Sequence, residues 1–144
     1  MTVPSNHQMF SASRRALLGM MLIGVSAVSV SQNAFAQSRS LTGNWSFAWQ
    51  GAQDDYTGTL AITTRVNDNS YRGRLVLRRS SGGTVTQNAS IAVQGDQVSI
   101  IGSNPSVKTW NPDRFYVKLS GNSMEGFSRD AAGQQGKRIV FTRR

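Results

Sequence analysis

From Gln37 onward the apolar positions recur at every second residue, the spacing of a strand with one face hidden and one face wet. Trp45, Phe47 and Trp49 fall on one face of an extended segment, with Asn44, Ser46 and Ala48 on the other. The period returns in Leu60 and Ile62, in Tyr71, Leu75 and Leu77 against Arg72, Arg74 and Arg78, and in Val85, Ala89, Ile91 and Val93. Val98 and Ile100 follow, then Phe115, Val117 and Leu119 against Arg114 and Lys118, then Met124, and last Ile139 and Phe141 beside Arg138 and Arg143. The pattern predicts eight strands, and nowhere does the stripe of an amphipathic helix run for a useful length.

Clusters of Gly, Asn, Asp, Ser and Gln separate these strands at residues 51–55, 67–69, 80–83, 94–96, 102–112, 120–122 and 130–136. Connections this short join antiparallel neighbours, because a parallel pair needs a crossover of about a dozen residues or more. An up-and-down sheet has an apolar face to hide and two edges to protect, and closing it on itself does both. About eight strands is the size at which interior side chains fill the lumen or leave space for one small ligand. Gly58, Gly73 and Gly126 interrupt good strand sequence, where glycine marks a sharp bend or a close backbone approach. A two-sheet sandwich shares the alternation but calls for long crossovers, and only 102–112 has that length. The predicted fold is all-β: an eight-stranded antiparallel up-and-down β-barrel over residues 37–144, the inner set running from Trp45 to Phe141.

Residues 1–36 have another character. A polar stretch ends in Ser13-Arg14-Arg15, an apolar run extends from Ala16 to Val30, and Ala34-Phe35-Ala36 offers the small residues a signal peptidase requires. The run is interrupted by Gly19, Gly24, Ser26 and Ser29 and falls short of the roughly 20 residues of a bilayer span. A cleavable signal peptide ending at Ala36 is predicted, with no transmembrane span after cleavage and a periplasmic or secreted destination. The paired arginines resemble a bacterial twin-arginine translocation signal. Ala16 and Gly19 depart from that pattern, so an ordinary secretory signal stays open.

Composition removes much chemistry. The 144 residues hold no cysteine and one histidine, His7, which lies in the leader. Cys/His metal sites, thiol nucleophiles, haem ligation by histidine and Ser–His–Asp hydrolysis therefore have no side chains to work with. Neither metal nor cofactor is expected. Charge points to a class of partner: sixteen Lys and Arg face seven Asp and Glu. Loss of Arg14 and Arg15 with the leader still leaves fourteen bases against those seven acids, a formal +7. A basic protein outside the cytoplasm meets anionic envelope components rather than nucleic acid.

At Leu41-Thr42-Gly43-Asn44-Trp45 the chain resembles the opening of the calycin barrels, the group that contains lipocalins and avidins. The resemblance implies that the Trp45 indole plugs one end of the barrel, under an arginine from the chain's end, Arg143 or Arg144. Where the avidins carry polar biotin-binding residues, two and six places after the motif tryptophan, this chain has Phe47 and Gly51, so biotin is not implied.

Candidate sites are few. Trp49, Tyr56, Tyr71 and Trp110, near strand ends or in loops, are expected at a mouth admitting an apolar or amphipathic molecule. Arg72, Arg74 and Arg78, with Arg79, form an outward basic row able to grip phosphate or carboxylate, or simply to keep the exterior solvated. Asp54 and Asp55 are adjacent, and neighbours on a strand point apart, so they suit a solvated turn better than a pair of catalytic acids. Glu125, the sole glutamate, has a basic neighbour as its natural partner. No Ser-x-x-Lys, Tyr-x-x-x-Lys or Gly-x-Ser-x-Gly occurs. The function expected is therefore non-enzymatic: an exported protein binding a small apolar, amphipathic or anionic envelope ligand. The alternative is a protein-interaction module, such as an inhibitor of a secreted hydrolase, using the loop around residues 103–112.

Overall fold

The computed structural model describes residues 40–50 and 54–144. The leader, its cleavage point and its arginine pair lie outside the described residues. Eight strands follow in order: β1 (Gly43–Gln50), β2 (Asp55–Asn67), β3 (Ser70–Arg79), β4 (Thr84–Gln94), β5 (Gln97–Ser103), β6 (Arg114–Ser120), β7 (Ser123–Arg129) and β8 (Gln135–Arg143). Each pairs antiparallel with the next, and β8 returns to β1 through Trp45 opposite Arg143 and Phe47 opposite Phe141. The sheet is a closed eight-stranded antiparallel barrel, and among the described residues no helix is long and apolar enough to cross a membrane.

The alternation read from the sequence is the alternation of the wall. Trp45, Leu60, Leu75, Leu77, Ile91, Ile100, Phe115, Met124, Ile139 and Phe141 all point inward and are buried. In mid-barrel, rings from three strands meet: Phe47 lies 4.9 Å from Phe141 and 6.1 Å from Phe115, and Phe115 lies 5.5 Å from Phe141, centroid to centroid. Aromatic side chains thus fill the middle of the lumen, one of the two outcomes open to a barrel of this strand number. Trp49 and Leu119, at strand ends, are only half-buried, and Leu41, ahead of β1, joins the core.

Curvature depends on glycine where strands cross closely. An added Cβ at Gly126 would overlap the Tyr116 carbonyl oxygen and the Val117 Cα, both backbone atoms that cannot yield. Gly73 meets the Ala61 carbonyl in the same way. The strands reach further than the turn clusters suggest: Asp55, Asn67, Gln94 and Ser120 end or begin strands, β5 takes in Gly102 and Ser103, and β8 takes in Gln135 and Gly136. Gly102 stays in the strand because its amide donates to the Asp113 carbonyl at 2.8 Å, carrying the β5–β6 pairing one residue past Ile101 and Arg114.

Candidate functional site

The barrel's two ends differ because the hairpin turns between β2 and β3, β4 and β5, and β6 and β7 are tight, whereas the connections at the other end are longer. At the tight-turn end the chain seals itself. The Trp45 indole Nε1 donates to the Leu41 carbonyl at 3.1 Å, and both residues are buried. The Arg143 guanidinium carbon sits 4.7 Å from the Trp45 ring centroid, while its Nη2 donates to the Ser40 carbonyl at 2.7 Å and its Nη1 to the Thr42 carbonyl at 3.5 Å. Tyr71 is at this sealed end, 4% exposed, in register between Arg65 and Ile91. It therefore does not join the other three residues expected at a mouth. The reason is strand direction: β3 starts from the sealed end, so its first inward side chain falls there, whereas Trp49 closes β1 and Tyr56 opens β2 at the far end.

The long-loop end gathers a different set. Trp49 stacks on Tyr56 with centroids 4.7 Å apart, and Trp110 meets Tyr56 edge-on at 5.8 Å. Phe47 and Phe115 support Trp49 from the core side, at 5.7 and 5.5 Å. All three outer rings are half-buried, so each keeps part of its surface toward solvent. Trp110 reaches this place because the connection 104–113 folds over the barrel. The Thr86 amide donates to Ser106 Oγ at 3.0 Å and the Ser106 amide to the Thr86 carbonyl at 2.8 Å, while Val107 and Trp110 pack on the core.

Beneath Trp110 lies a polar clasp. Asp113 Oδ2 accepts from the Trp110 indole Nε1 at 2.9 Å and from Gln87 Nε2, and the Asp113 amide donates to Gln87 Oε1 at 3.0 Å. Burial pushes the Asp113 carboxyl above the ordinary carboxylate value, against the opposing pull of the bonds from Trp110 and Gln87. Burial also raises the Tyr56 phenol, Asp54 adds to the rise, and Arg79 opposes it, so the phenol stays neutral at ordinary pH.

Arg79 belongs to this end and not to the outward row. The two-residue period sets it on the inner face with Leu75 and Leu77, and it is half-buried where Arg78 is exposed. Its guanidinium carbon lies 6.0 Å from the Trp110 centroid, and its buried Nε has no hydrogen-bond acceptor among the described residues.

Elsewhere the charges are spread. Arg72, Arg74 and Arg78 are exposed on the outer face, and none of them enters the ion pairs of the described residues. Glu125 accepts from Arg138 on the outer face. Asp54 accepts from Ser81 Oγ at 2.8 Å and from the Ser81 amide at 3.2 Å, tying its turn to the β3–β4 connection.

No family model matches the chain, and no curated protein does. Among solved structures, the barrel is similar to a de novo designed fluorescence-activating β-barrel, with 20% identity, a TM-score of 0.56, and coverage of 74% of this chain and 96% of that one. It is also similar to the redesigned barrel mFAP0 bound to DFHBI, with 13% identity, a TM-score of 0.60, and coverage of 72% and 98%. A third likeness is the redesigned barrel mFAP1 bound to DFHBI, with 12% identity, a TM-score of 0.59, and coverage of 74% and 97%. At these identities the likeness is one of fold.

Gln87 and Asp113 are parts of the site that the sequence pattern does not single out, and Arg79, expected in the outward row, turns inward instead. The period that put Val85, Ala89 and Ile91 on one face also put Gln87 there, so a polar residue on an apolar face was the available signal. Asp113, in a loop, offered none.

Proposed function

We propose that the chain is an exported, non-enzymatic binding barrel that holds a small amphipathic anion at the end bearing Trp49, Tyr56 and Trp110. One observation carries the reading: three partly exposed aromatic rings adjoin the inward-facing guanidinium of Arg79, whose Nε lacks an acceptor among the described residues. Flat apolar surface beside a half-buried guanidinium suits a planar molecule with one acidic group, the rings taking its body and Arg79 its charge. The calycin-type opening at Gly43-Asn44-Trp45 and the similar designed barrels bound to DFHBI support a binding role for this architecture. Residues 1–36 support export, with maturation after Ala36 and residence in a bacterial periplasm or outside the cell. The inhibitor reading is weaker, because Val107 and Trp110 turn toward the core and leave Lys108 and Thr109 at the tip of the long connection.

The test uses an aromatic sulfonate dye, 1-anilinonaphthalene-8-sulfonate, with fluorescence titration of the mature protein. Trp110→Ala and Arg79→Gln are each expected to weaken dye binding by about tenfold, in line with the loss of one charge-assisted bond or one stacked ring. Binding unchanged by both substitutions would end the proposal.

A further inference from the structure

On the outside of the wall, β2 bends inward at Gly58. An added Cβ there would overlap the Val76 carbonyl oxygen and the Phe47 ring, so only glycine lets the strand sink so far toward the core. The sunken stretch leaves a concavity of about 550 Å³ on the solvent side, spanning β8, β1, β2 and β3. Small-molecule sites fall in the same range, roughly 300–1,000 Å³.

Register orders the floor of this groove. Val140, Ala48, Thr57 and Arg78 form one outward cross-strand row, and Thr142, Ser46 and Thr59 form the next. With adjacent strands about 4.8 Å apart, the first row runs about 14 Å from Val140 to Arg78. Arg144 also lines the groove, held against the start of β1 by its amide, which donates to the Asn44 carbonyl at 2.9 Å. Ser46 Oγ donates to the Thr142 carbonyl at 3.4 Å and keeps its lone pairs, and among the described residues the hydroxyls of Thr57, Thr59 and Thr142 have no side-chain partner. Neither Arg78 nor Arg144 enters the ion pairs of the described residues. Asp55, the acid on this face, begins β2 two residues ahead of Thr57 and pairs with neither.

We propose that this groove binds a small hydroxylated molecule carrying a phosphate group. Arg78 grips two phosphate oxygens through its planar fork, and Arg144 supplies a second positive charge. The hydroxyls of Thr57, Thr59 and Ser46 donate to and accept from the polyol, since each can do both. Ala48 and Val140 pack on its carbon skeleton. The site is distinct from the aromatic end: apart from Phe47, which lies beneath Gly58, the side chains that line it point away from the lumen, and the two proposals fail separately.

Glycerol 3-phosphate is the probe, titrated calorimetrically into the mature protein, with phosphatidylcholine vesicles doped with phosphatidic acid as a second arm. Arg78→Gln is expected to weaken glycerol phosphate binding by about tenfold, the usual scale for a hydrogen-bonded charge. Thr57→Val is expected to cost about threefold, the scale of one neutral hydrogen bond. Arg72→Gln removes the same charge from the same strand outside the groove, and less than about a twofold change is expected. All three side chains face solvent, so an unchanged unfolding midpoint verifies that the barrel is intact. Vesicle binding lost with Arg78→Gln but kept with Arg72→Gln also supports the site and assigns the phosphate to a lipid headgroup. Equal losses for Arg72→Gln and Arg78→Gln, or no saturable binding in either arm, would overturn it.

Discussion

Asp113 is the one acid drawn into the structure rather than left on its surface, and its surroundings set a pH dependence with a definite sign. Its folded-state pKa is raised, chiefly by burial. Such a group contributes stability that is fully present below its unfolded-state pKa and is lost as pH rises through the folded value. Above that folded value the clasp therefore carries an ionised carboxylate that its burial disfavours. Asparagine can reproduce the useful part, because both Trp110 Nε1 and Gln87 Nε2 donate to the same oxygen, Oδ2. Asp113→Asn is expected to be more stable than the parent at pH 7, with the gap shrinking as pH falls and closing below the ordinary carboxylate range. Urea unfolding of both proteins across that range checks this, and a gap independent of pH would refute the charge argument. The clasp also shows where sequence reading stops. Gln87 was visible as a polar residue on an apolar face, but its partner is fixed by a connection whose path over the barrel depends on Ser106 pairing with Thr86. No period governs such a path.

Among the strands, the seam between β8 and β1 converts a sheet into a barrel, and it is clamped at one end by a single side chain. Arg143 covers the Trp45 indole and also reaches back to the carbonyls of Ser40 and Thr42, ahead of β1. A cation over an indole is worth about 0.5–2 kcal/mol, and a charged hydrogen bond about 1.5–3 kcal/mol before solvent screening. Arg143→Met is expected to cost about 1–3 kcal/mol in denaturant unfolding, and Arg143→Lys to restore little of it, because an ammonium cannot stack flat and fork at once. Full rescue by lysine would reduce the clamp to a plain charge effect. The strands themselves were the most legible part of the molecule. Leu75, Leu77 and Arg79, or Phe115 and Val117, share a face for the same steric reason in any sheet. Tyr71 was misplaced because period assigns a face, not an end. Strand direction is set by the count of turns before it, and only that count says at which end of the barrel Tyr71 falls. Arg79 departs from the outward row for a simpler cause: its parity with Leu75 and Leu77, not its charge, sets its face.

For the molecule as a whole, closure in sequential order leaves the first and last strands as neighbours, so the ends of the described barrel lie side by side. The Arg144 amide donates to the Asn44 carbonyl at 2.9 Å, and Trp45 stands opposite Arg143. A flexible linker of about five residues spans the remaining gap to Ser40, at roughly 3.3–3.6 Å per extended residue. The turn between β4 and β5 is a natural place for new ends, since Gly95 is exposed, adopts a positive φ of 63°, and would meet nothing with an added side chain. Exposed turns that carry no core contacts tolerate such breaks, and extending or relocating a loop changes closure entropy only slowly with length. A permutant joined from Arg144 to Ser40 and opened between Gly95 and Asp96 is thus expected to keep the far-ultraviolet dichroism of an all-β protein and to unfold in one cooperative step. Its loss of stability should stay below about 2 kcal/mol, because every ladder and the Trp45–Arg143 clamp survive the rearrangement. An opening placed inside β1, between Trp45 and Phe47, is the matched contrast. It divides the strand that holds the seam, and that permutant is expected to lose cooperative unfolding. If both permutants behaved alike, the continuous, clamped β8–β1 seam would not be what holds the barrel shut.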